Sequence, residues 1–418
     1  MLIKVDKKLI MKSYTAIKIR IYPDTCQQEM LAKAMGCSRW WWNYALNLTI
    51  GTYKETGKSI SKTGLNSLLP KLKKEVETEF LKTDVYSQSL QQVTENLSRA
   101  FQNFFEKRAK FPRFKSYDGK QVVSYPQNVK CLVNKSTIKL PKIGEIKAVY
   151  HRPFQGVVKT VTVSKNRAGQ YFASIRLEID REIPVTNNGV VTGIDLGIKE
   201  FAITYNGSKC SKYENPRHTE KSARNLKRKQ QKLARKQPDS NRRKKARLLV
   251  AKVHNKIHNT RHDFLHKISR KIVDTSQTVV VENLNVKGMV KNHKLAKAIS
   301  DTGWGTFVNF LAYKLEKEGK KLVEIDRWFP SSKTCSNCLY QLDELNLAIR
   351  EWICPHCGTN HDRDQNAAKN IRAEGIRLLS VLGTSTAASG GDVRHRLGRK
   401  VKTVQSPVKL EASALPVG

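Results

Sequence analysis

This sequence of 418 residues is poor in acidic residues and has no long apolar run. It contains 36 Asp and Glu against 77 Lys and Arg, a formal net charge of +41 at pH 7. No apolar run approaches the about 18 residues that argue for a transmembrane helix, and the N-terminal residues lack the apolar core of a signal peptide. We therefore expect an intracellular protein without a membrane role, whose eight cysteines are reduced or bound to metal. Met11 is an alternative start to Met1.

The sequence also lacks a Ser/His/Asp or Cys/His arrangement that would indicate nucleophilic catalysis. What it has in excess is positive charge, beyond what an ordinary soluble enzyme requires. Such an excess is typical of proteins that bind a polyanion, above all nucleic acid.

Positive charge is densest in residues 221–247, which hold thirteen Lys and Arg and a single acid, Asp239. Gln237 to Ser240 predict a break between two helices. A solvated charged face is the usual interpretation, but so many like charges repel one another unless a polyanion is present. We predict nucleic-acid backbone contacts for Lys227, Arg228, Lys229, Arg235, Arg242, Arg243, Lys244 and Lys245.

Two C-x-x-C pairs, Cys335/Cys338 and Cys354/Cys357, are separated by fifteen residues. This spacing is typical of a closed tetrahedral zinc site. The alternatives are two unrelated buried thiol pairs or a disulfide, which an intracellular protein disfavours. His356 is a possible substitute ligand.

Three carboxylates fall at the ends of predicted elements. Asp195 lies in the apolar strand 190–195, Glu282 ends the apolar strand 278–283, and Asp364 precedes a helix from 365 to 372. The order of elements is that of an RNase H-like fold, whose central strands would bring the carboxylates together. Oxygen ligands suit Mg²⁺ or Mn²⁺, so we predict phosphodiester hydrolysis with two metal ions. A polar sheet edge for Asp195 and a favourable helix N-terminus for Asp364 are the simpler alternatives.

The N-terminal half predicts a small antiparallel β-barrel with a helical insertion. Its first strand is 16–23, and the inserted helices are expected at 26–35, 38–52, 61–74 and 87–108. Later strands are predicted at 137–140, 145–150, 160–164 and 171–179.

Three adjacent tryptophans lie in the second of these helices: Trp40, Trp41 and Trp42. We expect them to pack between helices, and stacking on bases is the alternative. We expect Asp301 to cap a helix. We expect residues 376–418 to form a disordered tail.

Five segments together resemble the TnpB family of transposon-encoded RNA-guided endonucleases, which are related to type V CRISPR nucleases. They are GIDLGIKEFA (193–202), VVVENLNVKGM (279–289), SDTGWGTF (300–307), WFPSSKTCSNC (328–338) and CPHCGTNHDRDQNAAKNI (354–371). The resemblance extends over residues 15–372.

The resemblance implies an α+β multidomain fold: a wedge β-barrel with an inserted helical recognition domain, then an RNase H-like RuvC nuclease domain with an inserted four-cysteine zinc ribbon. The corresponding boundaries are 1–23 and 109–184 for the wedge, 24–108 for the helical domain, 185–330 and 361–375 for RuvC, 331–360 for the zinc-binding module and 376–418 for the tail.

The resemblance also implies a function: cleavage of double-stranded DNA beside a short adjacent motif, guided by RNA from the transposon end. It assigns catalysis to Asp195, Glu282 and Asp364 and structural zinc to the four cysteines; Asp362 is a second candidate for the third carboxylate. We expect a monomer on one RNA, in the cytoplasm of a prokaryotic cell and associated with the nucleoid. The alternatives are a zinc-dependent, non-catalytic regulator of transposition and a strand-joining transposase.

Overall fold

The computed structural model describes residues 10–182, 189–346 and 348–385. The chain divides into two compact units. The first contains residues Met1–Val185 and His218–Thr260, and the second contains Thr186–Arg217 and Arg261–Gly418. None of the helices within the described ranges has the length and apolarity needed to cross a membrane.

A seven-stranded antiparallel sheet, curved into a half-barrel, forms the centre of the first unit. Its strands are β1 (Ile10–Tyr22), β2 (Gln121–Tyr125), β3 (Lys130–Leu132), β4 (Thr137–Leu140), β5 (Gly144–Val149), β6 (Val157–Lys165) and β7 (Tyr171–Glu182). They are arranged in the order β2-β6-β7-β1-β5-β4-β3. Ile17, Ile19 and Ile21 of β1 are buried, whereas Lys18 is exposed, as the alternation in the sequence predicted.

The helices inserted between β1 and β2 are α1 (Thr25–Thr56), α2 (Lys62–Leu72), α3 (Phe80–Thr83) and α4 (Ser87–Phe105). The prediction of two separate helices at 26–35 and 38–52 is wrong about the break between them, because α1 is continuous. Met35, Cys37 and Ser38 are buried across the predicted break, so packing of this face outweighs the weak helix propensity of Gly36.

The three adjacent tryptophans of α1 pack into the protein. Trp41 is fully buried and its Nε1 donates to Thr94 Oγ1 at 2.9 Å. Trp42 Nε1 donates to the Arg113 carbonyl at 3.0 Å. Trp40 stacks on Tyr44 with ring centroids 4.9 Å apart. Packing between elements, the simpler interpretation, is therefore confirmed.

The basic segment forms two helices, α5 (His218–Ala234) and α6 (Asn241–Thr275), and the predicted break between them is confirmed. Helix α6 contributes residues to both units. Its apolar stripe is buried at Ile257, Leu265 and Ile272, but Leu249 is exposed. The apolar stripe of α6 is therefore a core surface only in its later part.

The second unit contains a mixed five-stranded sheet of β8 (Val191–Leu196), β9 (Glu200–Tyr205), β10 (Cys210–Glu214), β11 (Thr278–Glu282) and β12 (Lys321–Ile325), in the order β10-β9-β8-β11-β12. The pairs β8/β11 and β11/β12 are parallel, and the other pairs are antiparallel. Its further helices are α7 (Val286–Met289), α8 (Ala296–Thr302), α9 (Trp304–Lys317) and α10 (Arg363–Ser385), and a two-stranded sheet pairs β13 (Glu351–Ile353) with β14 (Asn360–Asp362). This order of strands and helices is the predicted RNase H-like arrangement.

Two predictions for the second unit are corrected. Helix α10 continues to Ser385, so residues 376–385 are not a disordered tail; Leu378 packs beside buried Val280 and Ile371, which gives the helix an apolar face to bury. The rest of the predicted tail, 386–418, lies outside the described residues. Asp301 does not cap α9, because it lies in α8 and pairs with Arg261 at 2.5 Å.

Candidate metal centres and nucleic-acid surface

The parallel pairing of β8 and β11 brings two of the predicted carboxylates together. Val281 lies opposite Ile194 in the register of these strands. The next position on β8 is Asp195 and the next on β11 is Glu282, so the two acids lie side by side near the C-terminal ends of neighbouring parallel strands. In a parallel pair, residues at matching positions project to the same face.

Helix α10 brings the third carboxylate to that face. It packs so closely on β8 that a Cβ built on Gly193 would lie 2.3 Å from the Ala368 carbonyl oxygen. Gly193 and Asp195, two residues apart on a strand, share one face of the sheet. Asp364 and Ala368, four residues apart on a helix, share one face of α10. The close contact at Gly193 therefore directs Asp364 toward Asp195.

In this carboxylate cluster (Asp195, Glu282 and Asp364) the charges of Glu282 and Asp364 act on Asp195. Burial of the Asp195 carboxyl group among protein atoms, followed by the charges of Glu282 and Asp364, raises its pKa from 3.8 to about 8; Arg363 and Arg350 oppose this shift. All three residues nevertheless retain partial exposure to solvent. The cluster thus combines three neighbouring acidic groups with access for a ligand.

Glu282 has a hydroxyl partner that the sequence analysis did not identify. Burial raises the pKa of Glu282, and a hydrogen bond from Ser331 Oγ partly offsets the effect. Ser331 is itself buried, and its carbonyl accepts from Asn370 Nδ2 of α10 at 2.8 Å. The strand, the loop before the first cysteine and α10 therefore fix the Glu282 side chain together.

Asp362 has a different environment from Asp364. It precedes α10, and its Oδ1 accepts from the backbone N–H of Asp364 at 3.1 Å and of Gln365 at 3.0 Å. Its Oδ2 accepts from Lys212 Nζ at 2.8 Å. Burial favours a raised pKa for Asp362, but these bonds outweigh it and lower the pKa. Asp362 is thus the cap of the helix that carries Asp364.

Arg350 is a second residue that the sequence analysis missed. Its Nη1 lies 3.3 and 3.1 Å from Oδ1 and Oδ2 of Asp364. Arg350 comes just before β13, between the two cysteine pairs. The only signal in the sequence was its position near the second pair, which does not indicate a partner fourteen residues later.

The donor chemistry of the carboxylate cluster fits hard divalent cations. Three neighbouring carboxyl groups in a partly buried site are stabilised by a cation, and carboxylate oxygens suit Mg²⁺ or Mn²⁺.

Within the described part of the chain, a single group of three or more Cys, His, Asp or Glu side chains has all its ligand atoms within 4.8 Å of one another. This group consists of the four predicted cysteines. Cys335 Sγ is 3.7 Å from Cys357 Sγ, and Cys338 Sγ is 3.6 Å from Cys354 Sγ. Sulfurs bound to zinc at about 2.3 Å in a tetrahedron would be about 3.8 Å apart. The cluster therefore has the donors and the size of a zinc site.

Two histidines lie near these cysteines. His356 stacks on Tyr340 with ring centroids 5.9 Å apart and is exposed. The buried His361 places Nε2 3.0 Å from Cys335 Sγ, beside the Trp352 ring. With its proton on Nε2, His361 would donate to the Cys335 sulfur, as residues around metal ligands commonly do.

The predicted basic contacts lie on α5, on α6 and between them, and most of them are exposed: Lys227, Arg228, Arg235, Arg242, Lys244 and Lys245. Lys229 is partly buried. Arg243 has a structural role, since its Nη1 donates to the Leu233 and Lys236 carbonyls at 3.2 and 2.8 Å. It satisfies carbonyls at the end of α5.

Comparison with known families gives three matches along the chain. Residues 174–293 match the OrfB_IS605 family, described as "Probable transposase", and residues 304–371 match the "Cas12f1-like, TNB domain" family. Residues 11–58 match the "Helix-turn-helix domain" family of OrfB_IS605 proteins; in this structure they form β1 and the continuous helix α1.

Individual proteins give longer matches. A Streptomyces pristinaespiralis protein named "Putative RNA-guided DNA endonuclease" is 37% identical over 406 residues, which cover 96% of this chain and 97% of the relative. An Escherichia coli K12 protein, "Putative RNA-guided DNA endonuclease InsQ", is 32% identical over 88% of this chain and 94% of the relative.

A solved structure supports the fold. The protein in "Cryo-EM structure of the Cas12f1-sgRNA-target DNA complex" superposes with a TM-score of 0.56 at 12% identity, covering 86% of this chain and 99% of that protein. Together with the near full-length relative at 37% identity, the described geometry leads to one assignment. The chain belongs to the TnpB family of transposon-encoded RNA-guided DNA endonucleases.

Proposed function

We propose that this protein is the RNA-guided DNA endonuclease of an insertion sequence and that it cuts double-stranded DNA beside a short adjacent motif. The observation that carries the proposal is the convergence of Asp195, Glu282 and Asp364 on one face of an RNase H-like sheet, where burial and then the charges of Glu282 and Asp364 raise the pKa of Asp195. The names of the relatives support the same activity.

Catalysis is proposed to be phosphodiester hydrolysis in this RuvC site. When bound, two Mg²⁺ or Mn²⁺ ions supply activation of the attacking water and stabilisation of the leaving 3′ oxygen. Asp195 and Glu282 hold their carboxylates on adjacent strands, and Ser331 orients Glu282. Asp364 supplies the third carboxylate, and Arg350 balances its charge.

The four cysteines are proposed to hold one structural zinc ion. The donor set is closed, because four sulfurs already complete a tetrahedron and leave no position for substrate. A hydrogen bond from Thr359 Oγ1 lowers the pKa of the Cys357 thiol, which favours its thiolate as a ligand.

Guide RNA is the proposed partner of the basic helices α5 and α6. Phosphates would contact Lys227, Arg228, Lys229, Arg235, Arg242, Lys244 and Lys245, while guide pairing supplies sequence recognition. Arg243, whose Nη1 is bonded to α5, is a weaker candidate. We propose one protein on one RNA, acting in the bacterial cytoplasm at the nucleoid.

A plasmid cleavage assay tests the activity. The protein is co-expressed with RNA from its transposon end and given Mg²⁺ and a target flanked by a randomised motif. We expect guide-dependent double-strand cuts that disappear in Asp195→Asn, while RNA binding and zinc content stay at wild-type levels.

Other outcomes of this assay would indicate other functions. RNA binding without cutting, across all motifs and metals, would indicate a non-catalytic regulator. Guide-independent cutting and joining at transposon ends would indicate a transposase.

Elemental analysis tests the zinc proposal. It should give one zinc ion per chain in the wild type and a lower zinc content in Cys335→Ser. Unchanged zinc content in that variant would contradict the assignment.

A further inference from the structure

Trp328 is the most exposed aromatic side chain in the described part of the protein, at 82% exposure. Trp41, Trp42, Trp304 and Trp352 are buried, and Trp40 is partly buried. An indole ring is large and mostly apolar, and its exposure leaves a hydrophobic contribution to stability unused. The position of this ring therefore requires an explanation beyond the fold.

The loop around Trp328 is held firmly while the ring points away from the core. The Trp328 backbone N–H donates to Asp326 Oδ1 at 2.8 Å, and the Phe329 N–H donates to the Asp326 carbonyl at 3.2 Å. The next residue, Phe329, packs against buried Ile325 and Val280. One aromatic ring anchors the loop, and its neighbour is presented to solvent on a fixed backbone.

The same loop leads directly to the carboxylate cluster. Ser331 follows Trp328 by three residues, a stretch of chain that spans at most about 10 Å, and Ser331 Oγ donates to Glu282. The Ser331 carbonyl is held by Asn370 of α10. The Trp328 ring therefore belongs to the loop that contacts Glu282, within reach of a strand bound at the carboxylate cluster.

The chemistry of this surface favours a nucleotide. Arg327, beside Trp328, is also exposed and supplies a cation for a phosphate. Aromatic rings next to basic side chains bind unpaired bases by stacking, and the contact tolerates every base because each one has a π-face. A ring on a rigid loop loses little conformational freedom on binding.

We propose that Trp328 stacks on an unpaired base of the DNA strand that enters the carboxylate site and so holds the strand in position for cutting. The proposal rests on the proposed nuclease function, and it makes Trp328 a positioning residue rather than a catalytic one. It gives the site a preference for unpaired DNA, because paired and stacked bases have no free face.

The test uses the full chain loaded with guide RNA, without Mg²⁺ or Mn²⁺ so that DNA is not cut. Target DNA carries the fluorescent base 2-aminopurine at successive positions of the displaced and paired strands. Stacking on indole should quench the label at one or two positions. The quench should be lost in Trp328→Ala and largely retained in Trp328→Phe.

The control is Tyr117→Ala, which removes the next most exposed aromatic ring, at 76% exposure, and should leave the quench unchanged. Affinity for single-stranded DNA should fall about tenfold in Trp328→Ala, within the range measured for one base–aromatic stack. Acrylamide quenching of indole fluorescence in the wild type should decrease when DNA binds, which needs no variant.

Equal 2-aminopurine quenching in wild type and Trp328→Ala, or an indole ring that stays equally accessible to acrylamide with DNA bound, would overturn the inference. Full guided cleavage with such a result would leave the proposed function intact. Loss of the quench in Trp328→Ala, in a protein that never cuts DNA, would support the stacking site and reject the nuclease.

Discussion

At the scale of single residues, Asp195 has the most unusual environment in the carboxylate cluster. Its pKa is raised from 3.8 to about 8 by burial and by Glu282 and Asp364. Between these two values the folded state holds a proton that the unfolded state has released. The stability of the protein without Mg²⁺ or Mn²⁺ should therefore fall as pH rises from about 4 to about 8, and then become independent of this group.

The variant Asp195→Asn removes that pH dependence. Its gain in melting temperature over the wild type should grow between pH 5 and pH 8 and then level off, measured by calorimetry in buffer free of Mg²⁺ and Mn²⁺ and without a chelator that would remove zinc. The control Asp343→Asn, at an exposed carboxylate, should show no such trend. A gain that does not change with pH would contradict the raised pKa.

Asp362 and Asp364 are two positions apart, but we expect their substitutions to have different effects. Asp364→Ala should abolish cleavage while DNA and RNA binding remain, because it removes a proposed ligand from the cluster. Asp362→Ala should lower the free energy of unfolding by about 1 kcal/mol, as loss of a helix cap does, and reduce cleavage only partly.

The two variants are compared by cleavage rate, by binding and by melting temperature. Comparable loss of cleavage from both, at equal folding, would undo the assignment of Asp364 as the third carboxylate. An active Asp364→Ala variant would have the same effect.

At the scale of elements, the contact of α10 with β8 determines where Asp364 lies. Gly193→Ala would place a Cβ 2.3 Å from the Ala368 carbonyl oxygen and 2.6 Å from the Arg372 backbone nitrogen. Both neighbours belong to the backbone, so the helix must shift away from the strand. We expect a lower melting temperature and a loss of cleavage larger than the loss of nucleic-acid binding.

The matched control is Gly51→Ala in α1, where no atom lies within 4 Å of the added Cβ. It should cleave normally and gain up to about 1 kcal/mol in stability, because alanine is the better helix former. A Gly193→Ala protein that melts and cuts like the wild type would show that the close packing does not position Asp364.

At the scale of the whole molecule, the charge of +41 should dominate binding. RNA affinity should fall steeply and log-linearly with salt, since phosphate neutralisation releases counterions. Replacing Lys227, Arg228, Lys244 and Lys245 by Ala should reduce the slope of log K against log salt by about 3, at about 0.7 per phosphate contact. Arg243 is left in place because it bonds to the end of α5.

A charge-matched variant separates location from net charge. It replaces four exposed lysines on other elements: Lys54, Lys58, Lys317 and Lys321. Fluorescence titrations at several salt concentrations should show a smaller change in slope for this variant. Equal slopes for the two variants would mean that α5 and α6 are not a specific contact surface.

The sequence alone determined the chemistry of the two candidate centres. The spacing of the cysteine pairs predicted the sulfur cluster, because two C-x-x-C turns present their thiols locally. Apolar strands ending in Asp195 and Glu282 predicted a shared sheet edge, because hydrophobic runs mark buried parallel strands. Both features depend on neighbours in the chain or on a periodic pattern, and both can be read without coordinates.

Only the tertiary structure decided which side chains surround those centres. Three of these contacts join residues 14 to 49 positions apart: Ser331 with Glu282, Arg350 with Asp364, and His361 with Cys335. No local sequence pattern predicts them. The continuity of α1 and the length of α10 were likewise decided by burial, which outweighs local propensity at Gly36 and Gly375. The spacing of residues along the chain determines which ligand groups lie together locally, whereas the side chains that contact those groups depend on how the elements pack.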